Sequence, residues 1–276
     1  MSAFLHVMVN YRNDAESKAF LRDCLQIPGA EQGHFVLVNN SASSAQDPAF
    51  EELLRLSPRV SVLNCPDNPG YFGAGQSALR SFYSESLKFV ILSNSDLKIL
   101  TPDFYQRLLG FSWGPQVGAI APSIFSELTR QESNPLYWQR PSTQKIQFLR
   151  WIYSNFALAW LYHLGSTAKG LLQKQVPWKG GGFAYAPHGC FLILTENYLK
   201  NGGDFSYPIR LYGEEIHLAE RLRGQDLKVL LSPELRIVHR EKGTEVSWLH
   251  RLTLSPRTFR FKQEAAIYLE QLFRDG

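Results

Sequence analysis

The sequence predicts an α/β fold on a mostly parallel, Rossmann-like central sheet flanked by helices. Three observations carry that reading. In the first hundred residues, apolar runs of strand length alternate with segments of helical spacing. Each of the first four runs stops at asparagine. No run reaches the roughly 18 apolar residues that a membrane span needs. With 276 residues and 44% hydrophobic content, the chain has material for one large or two small cores, which argues against disorder.

The strands are expected at 4–9 (FLHVMV), 34–38 (HFVLV), 59–63 (RVSVL) and 88–92 (KFVIL). The first connection, AESKAFLRDCLQ, sets Ala15, Ala19, Cys24 and Leu25 nearly on one side of a helix. Asp47-Pro48 is an N-cap followed by a first-turn proline, a third helix is expected from about Gly75 to Ser86, and Thr101-Pro102-Asp103 starts a fourth. Strands and helices of these lengths imply βαβ units with right-handed crossovers. The strand-ending residues Asn10, Asn39 and Asn40, Asn64 and Asn94 would then share one edge, where open parallel sheets bind ligands. A row of amides there supplies donors and acceptors for a nucleotide; turn formation is the plain alternative at any one of them.

The fourth run belongs to KFVILSNSDLKIL, where Asp96 follows the strand by two residues and is either a strand stop or a functional carboxylate. The segment DNPGYFGAGQSALR places Gly70, Gly73 and Gly75 between the third strand and a helix. The spacing fits neither a dinucleotide fingerprint nor a phosphate-binding loop. It leaves two readings open: backbone approach to a ligand at a helix N-terminus, or tight helix–sheet packing. Later, GCFLILT (189–195) reads as a strand, a helix starts near Glu214, and strands follow near 227–231 and 235–239, the last ending at His239. Glu214 and Glu215 fall in the first turn, where the helix dipole favours carboxylates.

The net charge is only +4, but no acidic residue occurs between Glu132 and Glu196, an interval that holds Arg140, Lys145, Arg150, Lys169, Lys174 and Lys179. It includes FLRWIYSNFALAWLYHLGSTAKGLLQK, whose aromatic and basic make-up suits an element lying on an anionic membrane surface, or a buried helix with a basic solvated face. Nucleic acid is not expected, because no binding motif accompanies the charge. Cys24, Cys65 and Cys190 match neither a disulfide framework nor zinc spacing and read as reduced thiols of a cytoplasmic protein. The start, MSAFLHVMVNYRND, reads as a first strand and not a signal peptide. The expected organisation is a domain at 1–245, with a cationic, aromatic-rich helical insertion at 133–180, and a C-terminal helical extension at 246–276.

Several separated segments, in order, resemble the inverting glycosyltransferases of family 2, with a GT-A fold, and especially their rhamnosyltransferase-like branch. VMVNYRND is similar to that family's first strand and Tyr-Asn turn, and FVLVNNSAS to its Val-Asp-Asn-x-Ser segment. NPGYFGAGQSALR resembles its Asn-x-Gly-Phe-x-x-Gly-x-Asn turn, and ILSNSDLKI its Leu-Asn-Pro-Asp form of the DxD motif. HGCFLILT and YGEEIHLAERLRGQDLKVLLSPELRIVH resemble its Gly-Ala-x-Met strand and its Tyr-Gly-Glu-Asp-x-Asp-Leu helix with a trailing His. The match covers residues 4 to about 243, except the cationic middle.

The resemblance implies a nucleotide-sugar donor and a divalent cation, Mg²⁺ or Mn²⁺, that neutralises the departing diphosphate. Asp96 would hold the cation and His239 would complete its shell. The matching positions Asn10, Tyr11, Asn39, Asn68, Gly70, Phe72, Gly75, Asn94 and Gly189 would border the donor. Glu215, at the family's aspartate position, would be the base that deprotonates the acceptor hydroxyl. Three residues depart from the pattern: Glu215 is a methylene longer than aspartate, Asn39 replaces the acid that accepts N3–H of uracil or thymine, and His217 replaces an acid. The implied function is sugar transfer, with dTDP-rhamnose as donor and a lipid-linked or growing glycan as acceptor, at the inner face of the cell membrane. The alternatives are a nucleotidyltransferase, whose basic Gly-rich signature VNYRNDAE lacks, and a nucleotide-sugar-binding scaffold that has lost its base.

Overall fold

The computed structural model describes residues 2–172, 181–240 and 253–275. Strands β1 (Phe4–Asn10), β2 (Gly33–Asn39), β3 (Val60–Asn64) and β4 (Phe89–Asn94) pair in parallel in the order β3-β2-β1-β4. They are joined by helix α1 (Asp14–Leu25), a 3-10 segment (Pro48–Arg55) capped by Asp47, and α2 (Gly70–Phe82). After β4 come β5 (Leu97–Ile99), α3 (Phe104–Gly110), β6 (Val117–Ser126) and β7 (Gln131–Glu132). Next are α4 (Thr143–Ile152), α5 (Phe156–Leu172), β8 (Gly182–Ala184), β9 (Phe191–Thr195) and α6 (Glu196–Lys200). The chain then forms α7 (Glu214–Arg223), β10 (Lys228–His239) and α8 (Pro256–Asp275). Strand β9 inserts antiparallel between β4 and β6, β10 lies parallel to β6, and short β5, β7 and β8 pair antiparallel at the rim. The parallel βαβ character thus belongs to the first half of the sheet.

Both faces of the sheet are covered, which is why its strands read as unbroken apolar runs. Along β1, Phe4 and Met8 join a core with Phe20 and Leu21 of α1 and Tyr105 of α3, while Leu5 and Val7 pack on the opposite face with Phe72 and Ala78 of α2 and Leu218 of α7. His6 points into the first core and is satisfied there by Tyr105 Oη at 2.8 Å and Ser93 Oγ at 3.0 Å. Burial drives its pKa down to about 3, so the ring is neutral. The buried face of α1 corrects the sequence expectation: it is Ser17, Phe20, Leu21 and Cys24, while Ala15 and Ala19 are exposed. The bulky side chains set the rotation, since they bury far more area than alanine. The two late strands expected from sequence are one, β10, with a register shift between Ser232 and Arg236.

Helices α4, α5 and α8 form a further layer. Ile152, Tyr153 and Ala159 pack with Leu254 and Ala266, and Ile146 packs with Leu269 and Phe273 of α8 and Ile216 of α7. The acid-free interval draws counter-charges from outside itself. Arg140 makes a two-pronged pair with Glu220 of α7, at 2.8 and 2.9 Å, and stacks on Phe273 at 4.1 Å. Arg150 approaches Glu270 of α8 at 4.0 Å, and Lys145 lies over the Tyr137 ring at 5.1 Å. Lys174 and Lys179, with the rest of 173–180, and residues 246–252 of the expected extension lie outside the described residues.

Candidate functional site

A cleft of about 860 Å³ opens over the carboxyl ends of β1 and β4. Much of its wall comes from places where the chain leaves a strand: Tyr11 after β1, Asn40 after β2, Asn94 at the end of β4 and Asp96 after it, and His239 at the end of β10. Asn68 and Gly70 enter at the start of α2, His188 and Gly189 ahead of β9, and Glu214 and Glu215 at the start of α7. Helix α8 adds Arg257, Thr258 and Phe261.

The backbone is strained around this cleft. Asn68 (φ 44°), Arg12 (φ 56°) and Tyr212 (φ 73°) are in the left-handed region, costly above all for a residue as bulky as tyrosine. Gly70 (φ 87°) carries an added constraint, because a Cβ there would lie 2.0 Å from the Arg210 carbonyl oxygen. Its glycine is therefore explained by close backbone packing at the cleft rim.

Asp96 and His239 meet across the β4–β10 side of the cleft, with Oδ2 and Nε2 3.3 Å apart. Antiparallel pairing sets this meeting, since His239 is opposite Leu97 in the β10–β5 ladder. On the other side, Glu215 lies against Gly189, whose absent Cβ would come within 2.5 Å of Oε1. Burial raises the Glu215 pKa, and backbone N–H groups of Glu215 and Gly189 partly oppose the shift. Burial, with the neighbouring charge of Glu215 second, pushes Glu214 to about 8. Arg210 and Arg257 line the same cleft, and neither has an acidic partner among the described residues.

Tyr11, Asn68, Gly70, Asn94, Asp96, Gly189, Glu215 and His239 are thus brought together in one cleft. Asn10 and Asn39 are not in its lining; they are buried at 0% and 2% exposure in an amide ladder. Asn10 Nδ2 donates to Asn39 Oδ1 at 3.1 Å, and Asn39 Nδ2 donates to Asn64 Oδ1 at 3.3 Å. Ser41 N–H and Oγ–H also donate to Asn39 Oδ1. The register pairs Asn10 with Asn39 and Asn39 with Asn64, so the strand-end amides satisfy one another. Asn40 faces the cleft instead, donating Nδ2 to Gly70 O at 3.0 Å.

Phe72 and Gly75 lie beneath the site. Phe72 packs edge-on against Phe205 and Tyr207, and a Cβ at Gly75 would press on Leu92 and Phe205 at 3.0 and 3.1 Å. Gly75 therefore follows the tight-packing reading of the glycine segment. His217 is also structural: Nε2–H donates to Ser206 O at 2.9 Å, and Nδ1 accepts from Tyr268 of α8 at 2.7 Å. Burial lowers its pKa to about 4, in keeping with a neutral bridge between helices. His188, Arg210, Glu214 and Arg257 escaped the sequence reading as site residues. His188 could have been found beside Gly189, whereas nothing local marks Arg257, which reaches the cleft only because α8 packs back on α7.

No family model matches the chain, and no curated protein matches it. Solved structures do. The mannosyltransferase PcManGT from Pyrobaculum calidifontis, in complex with GDP-Man and Mn²⁺, superposes with a TM-score of 0.58 at 14% identity, over 99% of this chain and 72% of that one. TarS 1-349 from S. aureus, in complex with UDP-GlcNAc, gives 0.59 at 13% identity, over 99% and 67%. GalNAc-T7 with UDP, GalNAc and Mn²⁺ gives 0.58 at 13%, and the chain spans 46% of its length. The fold is GT-A.

Proposed function

We propose that the chain is a metal-dependent inverting glycosyltransferase. The observation that carries this reading is the convergence of Asp96 and His239, 3.3 Å apart, with the half-buried Glu215 in one strand-end cleft of a GT-A fold. The Asp96 carboxylate suits Mg²⁺ or Mn²⁺, and the imidazole beside it favours the softer Mn²⁺ of the two. Among the described residues no third His, Cys, Asp or Glu joins them to make a metal cluster, so the donor's diphosphate would supply further ligands. When bound, the ion neutralises charge that develops on the departing diphosphate. Arg210 and Arg257 add cationic charge to the same cleft.

Glu215 is the proposed base. Burial raises its affinity for a proton, which suits a carboxylate that must take one from an acceptor hydroxyl as the oxygen attacks the anomeric carbon in line. Gly189 holds it in place, through its N–H and by having no side chain. The extra methylene of Glu215 is taken up by this close packing, which favours the enzyme over a scaffold that has lost its base. The donor is a nucleotide sugar, and dTDP-rhamnose is the one that the sequence resemblance implies. The solved neighbours carry GDP-Man, UDP-GlcNAc and UDP, which widens the donors to be tried.

The acceptor in this reading is a lipid-linked or growing glycan reached from the cytoplasmic membrane face. Support comes from α4 and α5, which expose Phe148, Trp151, Phe156, Trp160 and Leu161. Among the described residues no helix is long and apolar enough to cross a membrane. The test is calorimetry with UDP, dTDP, GDP and CDP, with and without Mn²⁺, on wild type and Asp96→Ala. Nucleotide affinity should rise with Mn²⁺ in wild type and not in the variant. Equal affinities in all four conditions would remove the metal role.

A further inference from the structure

His188 sits between the two walls of the cleft. Its ring meets that of His239 edge-on with centroids 6.2 Å apart, and the next residue, Gly189, lies against the Glu215 carboxylate. The residue is anchored at its backbone and at its ring. The His188 backbone N–H donates to Asn134 Oδ1 at 2.6 Å, and Asn134 is itself buried and donates from Nδ2 to Pro122 O at 2.8 Å. The Cys190 N–H donates to His188 Nδ1 at 3.3 Å. A backbone N–H only donates, so Nδ1 is the accepting nitrogen and the proton of the neutral ring is on Nε2. Nε2 has no protein partner among the described residues, and the ring lines the cleft.

In the proposed reaction the diphosphate lies at Asp96 and His239 and the attacked carbon faces Glu215. The sugar being transferred therefore spans the interval that His188 and Gly189 occupy. We propose that His188 is a specificity-determining residue for the donor sugar, its Nε2–H donating to a hydroxyl oxygen of that sugar. A neutral N–H with its partner nitrogen already committed is a one-way donor. It matches a hydroxyl lone pair and discriminates against a sugar that places a C–H there. This inference rests on the glycosyltransferase reading.

The test is calorimetry in Mn²⁺ with matched pairs: UDP and UDP-GlcNAc, GDP and GDP-mannose, dTDP and dTDP-rhamnose. His188→Phe keeps a ring and removes the donor. His188→Gln keeps an N–H near the Nε2 position, and His188→Asn offers one that falls short of it. For the pair that wild type binds best, His188→Phe should weaken the sugar nucleotide about tenfold and leave its nucleoside diphosphate unchanged. Gln should restore most of the loss, and Asn should not. If Phe fails to fold, as read by its melting curve, the Gln–Asn contrast decides alone. Equal loss for both members of the pair would make His188 a diphosphate contact and overturn the inference, as would no loss at all or no difference between Gln and Asn. A wild type that binds none of the nucleoside diphosphates overturns the glycosyltransferase reading, and this inference with it.

Discussion

Glu214 and Glu215 are neighbours in the first turn of α7, and their side chains leave the helix about 100° apart, yet both line the cleft. Their environments distinguish them. Glu215 packs on Gly189, and Glu214 is 6% exposed with its pKa pushed up to about 8. Glu215→Gln should lower sugar transfer by about 10²–10⁴ while nucleotide and Mn²⁺ binding persist. Glu214→Gln should keep part of the transfer. Product formation from a matched donor and acceptor checks both, and wild-type turnover by Glu215→Gln would move the base elsewhere. Gly189→Ala should mimic the loss, since its methyl would displace Oε1. Glu214 also predicts a pH effect. Between 4.5 and about 8 its folded form keeps a proton that the unfolded chain has released, so its contribution to stability falls as pH rises. Glu214→Gln should therefore gain on wild type from pH 5 to pH 8, by at most about 1.4 kcal/mol per unit. Urea unfolding at the two pH values measures it; a constant difference would contradict it.

Among the elements, α7 carries the proposed base and is held from two directions. Tyr268 of α8 donates to His217, and Arg140 grips Glu220 together with Tyr185, at 2.7 Å, and Arg223. Burial alone would raise the Glu220 pKa, but these donors outweigh it and hold it at about 2. The pair therefore stabilises the fold above the unfolded carboxylate's pKa, and its contribution is lost as pH falls towards 2. Arg140→Ala removes the two-pronged partner of a buried carboxylate, leaving Tyr185 and Arg223, and should cost about 2 kcal/mol at neutral pH, less in acid. Denaturant midpoints at pH 7 and pH 3 test this, and an equal loss at both would contradict it. Arg140 reads in the sequence as one of a run of free cations. Its partner is 80 residues away, so the neutralisation could not be seen there.

At the scale of the molecule, α4 and α5 present an aromatic surface, with Trp151 56% and Leu161 59% exposed. Arg140 and Arg150 turn towards Glu220 and Glu270, so the aromatic side chains are the stronger feature of this surface. Trp151→Ser with Trp160→Ser should sharply reduce sedimentation with vesicles. Reversing Arg150, Lys169 and Lys174 to Glu should weaken binding to anionic vesicles by about 1 kcal/mol for each residue near the surface, and salt should do the same. Unchanged sedimentation of both variants would leave a surface that serves the protein's own packing.

The sequence by itself determined the βαβ half of the sheet and the edge where the strands end, and its family resemblance pointed to eight of the residues that line the cleft. The sheet and its edge follow from short-range physics: apolar runs covered on both faces and turn residues at strand ends. Only the tertiary structure decided which polar groups remain available. Asn10 and Asn39 look like ligand contacts until the strand register sets them opposite each other and Asn64, where their hydrogen bonds are used up. His188 and Arg257 look ordinary until β9 inserts antiparallel and α8 folds back, which brings both into the cleft. A hydrogen bond is exhausted or left open by partners distant in sequence, and that is settled only when the chain has folded.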